Sequence, residues 1–342
     1  MITKLKLHNW KSFGDAMLYI DQLTFLIGIN ASGKSNVLDA FHFAHLLSVG
    51  VSLNDAIRQI RGGADWIILR GQNHFSLEFF FDFDGRECAY QLAVVKRGVN
   101  FEFTNKKIIF PEGECSETEK QFFSEKIKSD LANIFILNPN PENMRGYSKL
   151  STEMASDGSN VAGVLAALPS SRKDETEKII TQYVKPLPER DINRIETVTV
   201  GLTNSDAMLY CYEDWNPTQP VDARGMSDGT LRFIAIVTAL LTVKDGSLVV
   251  IEEIDNGLHP SRVKELINML KGISAKRNID VLCTTHNPVF MNDLGNEMIP
   301  FISYIKRDEK GDSRIYLLEN NPNLIKLLSA GRPGDLMTED KL

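Results

Sequence analysis

The segment from Gly28 to Ser35, GINASGKS, constrains the fold of this chain more than any other stretch. It matches the pattern G-x-x-x-x-G-K-[ST], in which backbone N–H groups surround the phosphates of a nucleotide. An apolar run from Leu23 to Ile27 precedes the segment, and a helical pattern from Lys34 to Leu47 follows it. A strand before the loop and a helix after it are the context that the pattern requires. The sequence therefore predicts a nucleoside triphosphate site here.

Two side chains of this phosphate loop have specific expected roles. Lys34 is expected to reach the β- and γ-phosphates, and the Ser35 hydroxyl is expected to bind Mg²⁺. Glycine at Gly28 and Gly33 permits the tight turn and a close approach of the backbone to phosphate. ATP and Mg²⁺ are therefore the expected ligands.

Composition narrows the class of protein further. The 342 residues include 43% hydrophobic and 24% charged residues, which is ordinary for a globular domain. No apolar run approaches the ~20 residues of a membrane span, and the N-terminus lacks a signal-peptide core, so we expect a cytoplasmic protein without membrane association. Four widely spaced cysteines favour reduced thiols over disulfides. A net charge of −7 argues against a strongly basic nucleic-acid coat, although it leaves room for a local basic patch.

A second motif ends in two adjacent carboxylates. The apolar residues from Leu248 to Ile251 predict a buried parallel strand, and Glu252 and Glu253 follow at its carboxyl end. Ligands of open α/β sheets bind at that end. Glu252 is expected to hold Mg²⁺ through water, and Glu253 to orient or deprotonate an attacking water.

Two weaker signals complete the pattern. His286 follows a predicted strand from Ile279 to Cys283, where a histidine can contact the γ-phosphate or hold the attacking water. The segment from Gly225 to Thr230 precedes an apolar helix predicted from Leu231 to Val243, with Ser227 or Asp228 as its cap.

These motifs, in this order, resemble those of ABC-type ATPases of the SMC/RecF/OLD branch. Leu5–Phe13 (LKLHNWKSF) resembles the strand and turn with which RecF- and SMC-like proteins begin. Met226–Thr230 (MSDGT) resembles the ABC signature, Ile251–Glu253 the Walker B motif, and Asp255–Pro260 (DNGLHP) the D-loop of OLD-like ATPases. Asp157–Ala162 and Gly331–Leu336 resemble segments of stand-alone AAA15 or AAA-21 type ATPases, many of which belong to bacterial antiphage systems.

The resemblance implies a set of site residues. Expected nucleotide contacts are Asn30, Gly33, Lys34, Ser35 and Asn36, with Ser227 and Gly229 reaching the nucleotide of a second protomer. Expected metal ligands are Ser35, Glu252 and Asn138, and the expected catalytic residues are Glu253, Lys34 and His286. ATP would lie between the phosphate loop of one protomer and the signature of another, in a homodimer or higher homo-oligomer.

Three positions depart from the family pattern. Glu252 replaces the usual Walker B aspartate, and Asp228 stands where many relatives have glycine. No clear Q-loop glutamine is present; Asn138 lies near the corresponding place, but it can equally be a turn residue before Pro139.

The resemblance and the hydrophobic pattern together predict the organisation of the chain. We expect an α/β ABC-type P-loop ATPase head with a mixed central sheet. Residues 1–110 would form an N-terminal ATPase lobe with an antiparallel β meander, and residues 111–195 a compact helical insert without a long coiled coil. Residues 196–342 would form the C-terminal ATPase lobe.

Three functions are compatible with these motifs. The first is an ATPase switch of an antiphage defence complex that controls a separate nuclease or toxin, because too little chain follows His286 for a further packed domain. The alternative is a RecF-like repair or recombination ATPase that binds DNA, with Arg58, Arg61, Arg70, Lys106 and Lys107 as a basic surface, unless these are scattered solvated charges. A transporter subunit is disfavoured by the N-terminal segment and the missing Q-loop glutamine.

Overall fold

The computed structural model describes residues 1–113, 115–186 and 192–339. The chain divides into two compact units. The first consists of Met1–Ile134, Gly246–Glu252 and Asp280–Leu342, and the second of Phe135–Asp245 and Glu253–Ile279. Both units are discontinuous in sequence, unlike the three consecutive segments that the sequence predicts. The difference arises because the chain returns twice to the central sheet of the first unit.

The first unit begins with an antiparallel sheet. Its strands are β1 (Ile2–Trp10), β2 (Phe13–Tyr19), β4 (His74–Phe83), β5 (Arg86–Arg97) and β6 (Asn100–Ile109), in the order β2-β1-β4-β5-β6. The predicted meander is thus present. Asp84 and Gly85 form the two-residue turn between β4 and β5, with φ of 54° and 81°, as a tight hairpin requires.

The second sheet of this unit carries the phosphate loop. Its strands are β3 (Leu23–Ile27), β12 (Leu248–Ile251), β13 (Asp280–Thr285), β14 (Ile302–Arg307) and β15 (Ser313–Leu317). They lie in the order β15-β14-β3-β13-β12, with the pairs β14–β3, β3–β13 and β13–β12 parallel and β15 antiparallel to β14. Every residue of β3, β12 and β13 is buried, as expected for strands covered on both faces.

Helices and aromatic side chains fill the space around these sheets. The helices of the first unit are α1 (Lys34–Ser48), α2 (Leu53–Gln59), α3 (Gly63–Trp66), α4 (Glu117–Ala132), α10 (Pro288–Asp293), α11 (Leu324–Ala330) and α12 (Pro333–Thr338). Helix α1 packs Phe41 against Phe79 and Phe43 against Phe75 of β4, with ring centroids 5.9 and 5.8 Å apart. Trp10 also belongs to this cluster, with its ring centroid 5.0 Å from that of Phe75.

The second unit combines short helices with a small antiparallel sheet. Its strands are β8 (Ser148–Lys149), β9 (Ile192–Val200), β10 (Asp206–Glu213) and β11 (Asn216–Asp222); β7 (Ile134–Leu137) leads into it. Its helices are α5 (Pro141–Met144), α6 (Val161–Ala166), α7 (Ser170–Val184), α8 (Asp228–Thr242) and α9 (Val263–Arg277). Short 3₁₀ helices lie at Ala223–Gly225 and Pro260–Arg262 in this unit, and at Asn296–Phe301 and Leu318–Asn320 in the first unit. No helix of the described residues exceeds the 16 residues of α4, in accord with the expected lack of a long coiled coil.

Candidate nucleotide-binding site

The register of three parallel strands brings the phosphate loop and two motifs to one edge of the sheet. Thr285 of β13 pairs with Ile27 of β3, and Cys283 of β13 pairs with Ile251 of β12. The phosphate loop, Glu252 and His286 each follow directly after these strands. Because all three strands run in the same direction, their carboxyl ends form one binding edge.

The phosphate loop has the backbone conformation of a tight anion-binding turn. Ala31 and Gly33 have φ of 62° and 122°, in the left-handed region where glycine is favoured. A Cβ at Gly33 would also lie 2.6 Å from the Ser313 hydroxyl, so this position has no room for a side chain. Lys34 is buried and donates to the carbonyls of Gly28 and Ile29, at 2.6 and 2.9 Å. Its cation therefore lies inside the loop.

Strand β15 and the N-terminal turn support this loop. The Ser313 hydroxyl lies 2.5 Å from the Ser32 carbonyl and 2.8 Å from the Ser12 hydroxyl. Asn36 donates from Nδ2 to the Ser12 hydroxyl at 2.8 Å, and its carbonyl accepts from Trp10 Nε1 at 2.7 Å. Asn36 thus connects α1 to the N-terminal turn, whereas Asn30 lies exposed in the loop.

The structure brings the two predicted metal ligands of this unit together. The Ser35 hydroxyl donates to Glu252 Oε1 at 2.7 Å. A hydroxyl and a carboxylate are hard oxygen donors of the kind that Mg²⁺ prefers, and Mg²⁺ usually takes few protein ligands beside water and phosphate. Among the described residues no group of three or more His, Cys, Asp or Glu side chains could form an all-protein metal site. The residues present therefore fit a nucleotide-dependent Mg²⁺ site.

Arg61 joins the same pair, although its sequence context indicates only a surface charge. Its Nη1 lies 2.8 Å from Glu252 Oε1, and its Nη2 donates to the Ser35 carbonyl at 2.8 Å. Its Nε contacts Asp39 of α1 at 2.9 Å, and the buried Lys11 ammonium pairs with the other oxygen of Asp39. Burial lowers the pKa of Arg61, but Asp39 and Glu252 outweigh burial, so that the pKa is raised and the cation is retained.

The signature segment begins a helix in the second unit. Ser227 caps α8 by accepting from the Thr230 N–H at 3.1 Å, and Ser227 and Asp228 are exposed at the helix start. Gly229 is buried against the D-loop, where an added Cβ would lie 2.5 Å from the Gly257 carbonyl. The start of α8 carries the positive end of the helix dipole, which favours an anion at this place.

Two further predicted site residues lie in the second unit. Glu253 follows Glu252 directly, with a φ of 50° that is uncommon for a residue with a side chain. The chain therefore turns sharply between the two carboxylates. Asn138 follows β7, is exposed, and donates its backbone N–H to the Ser156 carbonyl at 2.8 Å. The metal role of Asn138 stays a prediction.

His286 occupies the first position after β13 and is half-buried. Asn287 then caps α10, with its side-chain oxygen 2.9 Å from the Val289 N–H. The Thr285 hydroxyl accepts from the Asn287 N–H at 3.1 Å. The end of β13 and the start of α10 therefore fix the backbone on both sides of His286.

The basic residues of the N-terminal lobe have different surroundings. Arg58 is 73% exposed and pairs with Asp55 one turn earlier, and Arg70 lies 4.8 Å from the Trp66 ring. Lys106 and Lys107 are exposed on β6. Arg61 differs from these four residues because it is engaged in the phosphate-loop site.

Solved structures of SMC heads share this fold. An SMC head domain from Thermotoga maritima is 15% identical, with a TM-score of 0.54, covering 92% of this chain and 98% of that chain. An SMC head bound to the C-terminal winged-helix domain of ScpA is 14% identical, with a TM-score of 0.59 and coverage of 92% and 96%. A head with an extended coiled coil, bound to the C-terminal domain of ScpA and derived from Pyrococcus furiosus, is 13% identical, with a TM-score of 0.56 and coverage of 96% and 99%. The chain therefore has the fold of an SMC head domain, an α/β head with a mixed central sheet as the sequence predicts.

A match to a family model shows the family to which this chain belongs. The model of the family described as "AAA domain, putative AbiEii toxin, Type IV TA system" matches residues 23–292, which is more than half of the chain. The chain belongs to this family of P-loop ATPase domains. No curated protein matches the sequence. Within the described residues, no helix is both long and apolar enough to cross a bilayer.

Proposed function

We propose that this protein binds and hydrolyses ATP, dimerises around it, and acts as the regulatory switch of a defence complex that controls a separate effector. The observation that carries this proposal is the contact of Ser35 with Glu252 at 2.7 Å, beside a phosphate loop with a buried lysine. The proposed ligands are ATP as substrate and Mg²⁺ as cofactor.

The proposed chemistry divides among a few side chains. Lys34 would neutralise the β- and γ-phosphates, while Ser35 and Glu252 would hold the metal ion, which would supply positive charge to the phosphates. Glu253 accepts a proton from the attacking water, and His286 helps to hold that water. Ser227 and the N-terminus of α8 approach the γ-phosphate from a second protomer, so that closure depends on the nucleotide state.

A role beside a toxin is supported by the family description, which refers to a putative AbiEii toxin and a type IV TA system. Control of a separate protein by an ATP-dependent conformational change fits this description. The similarity to SMC heads bound to ScpA domains also supports partner binding by this fold.

A second candidate function is ATP-dependent DNA binding of the RecF type. It is favoured by the exposed Arg58, Arg70, Lys106 and Lys107 of the N-terminal lobe, since Lys and Arg side chains neutralise phosphates along DNA. Loss of ATP-dependent duplex binding in an Arg58→Glu/Arg70→Glu variant would support this candidate.

The deciding experiment is light scattering after size exclusion of Glu253→Gln, with and without ATP–Mg²⁺, alone and coexpressed with its genomic neighbours. Lys34→Ala in the same background is the control, because it removes the phosphate-facing cation. An ATP-dependent hetero-assembly supports the switch, and a lone dimer that associates only with DNA supports the second candidate. A protein that binds ATP but stays monomeric contradicts the proposed dimerisation.

A further inference from the structure

Arg145 holds the start of the signature helix, although no sequence motif contains it. Its Nη1 lies 3.2, 3.0 and 2.9 Å from the carbonyl oxygens of Ala223, Arg224 and Met226. Its Nη2 donates to the carboxylate of Asp228, the first residue of α8. One guanidinium thus contacts four acceptors in the six residues that lead into the helix.

The acceptors around Arg145 create an electrostatic problem for an anion-binding helix start. Asp228 carries a full negative charge beside Ser227, and the three carbonyl oxygens add partial negative charge. A γ-phosphate arriving at this helix start would be repelled by them if they were uncompensated. The guanidinium of Arg145, only 23% exposed, places a permanent positive charge among these acceptors.

Other charges near Arg145 and Asp228 do not replace this contact. Arg145 Nε also lies 3.6 Å from Glu142, three residues earlier; the Glu142 side chain is 78% exposed, and a surface pair of this kind contributes little. Arg232, one turn along α8, interacts with both Asp228 and Glu253, and burial lowers its pKa. Arg232 therefore divides its charge between two carboxylates, whereas Arg145 also binds the backbone of the turn.

The segment that carries Arg145 is itself anchored. Arg145 ends the short helix α5, whose Asn143 side chain donates to Asp157 Oδ2 at 2.9 Å. The Asn140 N–H donates to the Asp157 carbonyl at 2.8 Å. The Asp157 turn thus holds α5, and α5 positions Arg145 at the signature.

We infer that Arg145 is the positioning residue of the signature: it fixes the turn before Ser227 and neutralises Asp228, so that the start of α8 accepts the γ-phosphate of a second protomer. This inference rests on the proposed ATP-dependent dimerisation. It also explains how aspartate is tolerated where many relatives have glycine. Lysine cannot replace Arg145 fully, because a single ammonium cannot reproduce the planar fork that contacts both carbonyls and carboxylate.

The test measures ATP-dependent dimerisation by light scattering over a series of ATP concentrations in the Glu253→Gln background. Arg145→Met is expected to raise the ATP concentration for half-maximal dimer by about tenfold or more, since charge-assisted hydrogen bonds are lost. Binding of a fluorescent ATP analogue to the monomer is expected to stay unchanged. Arg145→Lys should give an intermediate shift, and it provides a measurable variant if Arg145→Met fails to fold.

A second substitution separates charge neutralisation from simple loss of packing. Adding Asp228→Asn to Arg145→Met is expected to recover part of the dimerisation, because the uncompensated charge is gone. Arg194→Met is the matched control: Arg194 belongs to the same unit and pairs with Glu196 at 3.1 Å. Its dimerisation should match that of the parent.

The outcomes distinguish the two proposals. A parent protein that never dimerises with ATP contradicts the proposed function itself. A parent that dimerises, together with an Arg145→Met variant that dimerises equally well, overturns the role of Arg145. Two results contradict the claim that Arg145 neutralises Asp228. One is a double variant, Arg145→Met with Asp228→Asn, that recovers no dimerisation. The other is loss of dimerisation in Asp228→Asn alone.

Discussion

Arg61 Nη1 and Glu252 Oε1 lie 2.8 Å apart, so that an arginine occupies the carboxylate oxygen that also accepts the Ser35 hydroxyl. The proposed metal site therefore contains its own cation. If Mg²⁺ binds Glu252 as proposed, directly or through water, it would compete with Arg61 for this carboxylate. Arg61 belongs to the loop between α2 and α3, so this loop contacts the proposed metal site through the Arg61 side chain.

Replacement of Arg61 by alanine is expected to tighten Mg²⁺ binding in the presence of ATP. The lost ion pair is half-exposed, and such a pair contributes about 1 kcal/mol, or roughly fivefold in affinity. The measurement is the Mg²⁺ dependence of ATP binding by isothermal titration. Arg58→Ala is the matched control, since Arg58 pairs with Asp55 at 2.8 Å, outside the phosphate-loop site. An unchanged Mg²⁺ requirement in Arg61→Ala would show that the two cations do not compete.

The contact between Arg61 and Glu252 changes how DNA binding has to be tested. A charge reversal at Arg61 would disturb Glu252 and Asp39, and any loss of DNA binding could reflect a damaged nucleotide site. Arg58 and Arg70 are better targets, because their contacts lie outside the phosphate-loop site.

The parts of the site that are local in sequence could be predicted from it. The phosphate loop, the strand before Glu252 and the Ser227 cap each follow from fewer than ten consecutive residues. The helix after the phosphate loop ends at Ser48, one residue beyond the predicted Leu47, and β13 continues to Thr285, two residues beyond the predicted Cys283. Local pattern determines such elements well because burial and capping act over one or two turns.

Contacts between distant segments could not be predicted. Arg61 and Glu252 are 191 residues apart in sequence, and Arg145 and Asp228 are 83 residues apart. A single arginine in a loop has the same local pattern whether it is solvated or paired, so its partner appears only in the folded chain. The sequence does carry a turn signal at Arg61, the pair Gly62 and Gly63 directly after it, and these residues have φ of 80° and 52° in the structure.

Asp280, at the start of β13, is expected to make stability fall as the pH rises. Burial, with smaller contributions from Asp21 and Asp130, raises its pKa from 3.8 to about 7, although the amino group of Met1 opposes this shift. Between pH 3.8 and about 7, the folded state holds a proton that the unfolded state has released. The free energy of unfolding therefore falls as the pH rises through this range. The loss is on the order of 4 kcal/mol, since one pKa unit corresponds to about 1.4 kcal/mol.

Chemical denaturation at pH 5.5 and pH 8 measures this effect. Asp280→Asn should be more stable than the parent at pH 8 and should show a flatter dependence on pH. Asp308→Asn is the control, because a hydrogen bond from Arg314 lowers the pKa of that carboxyl. A parent whose free energy of unfolding does not fall between pH 5.5 and pH 8 would contradict the assignment to Asp280.

The four thiols are expected to differ in reactivity. Burial raises the pKa of Cys88 and Cys283, and it raises the pKa of Cys211 to about 11, so few thiolates form at these positions near neutral pH. Cys115 is only half-buried. A chromogenic disulfide reagent should label one thiol rapidly in the folded protein and the others after unfolding. The rapid phase should disappear in Cys115→Ser; its persistence would identify another cysteine as the accessible one.

Gly334 is expected to be indispensable for the contact of the C-terminal helix α12 with α10, whereas the neighbouring Gly331 is not. A Cβ at Gly334 would lie 1.9 Å from the Pro288 carbonyl, two residues after His286, while a Cβ at Gly331 would come no closer than 3.6 Å to Leu336. Gly334→Ala must displace α12, at a cost of about 2 kcal/mol as for other overpacked sites, and Gly331→Ala should cost much less. Denaturant titration of both variants measures the difference, and ATP turnover of Gly334→Ala reports whether the displacement reaches His286. Equal stabilities would mean that α12 does not pack on α10 in solution.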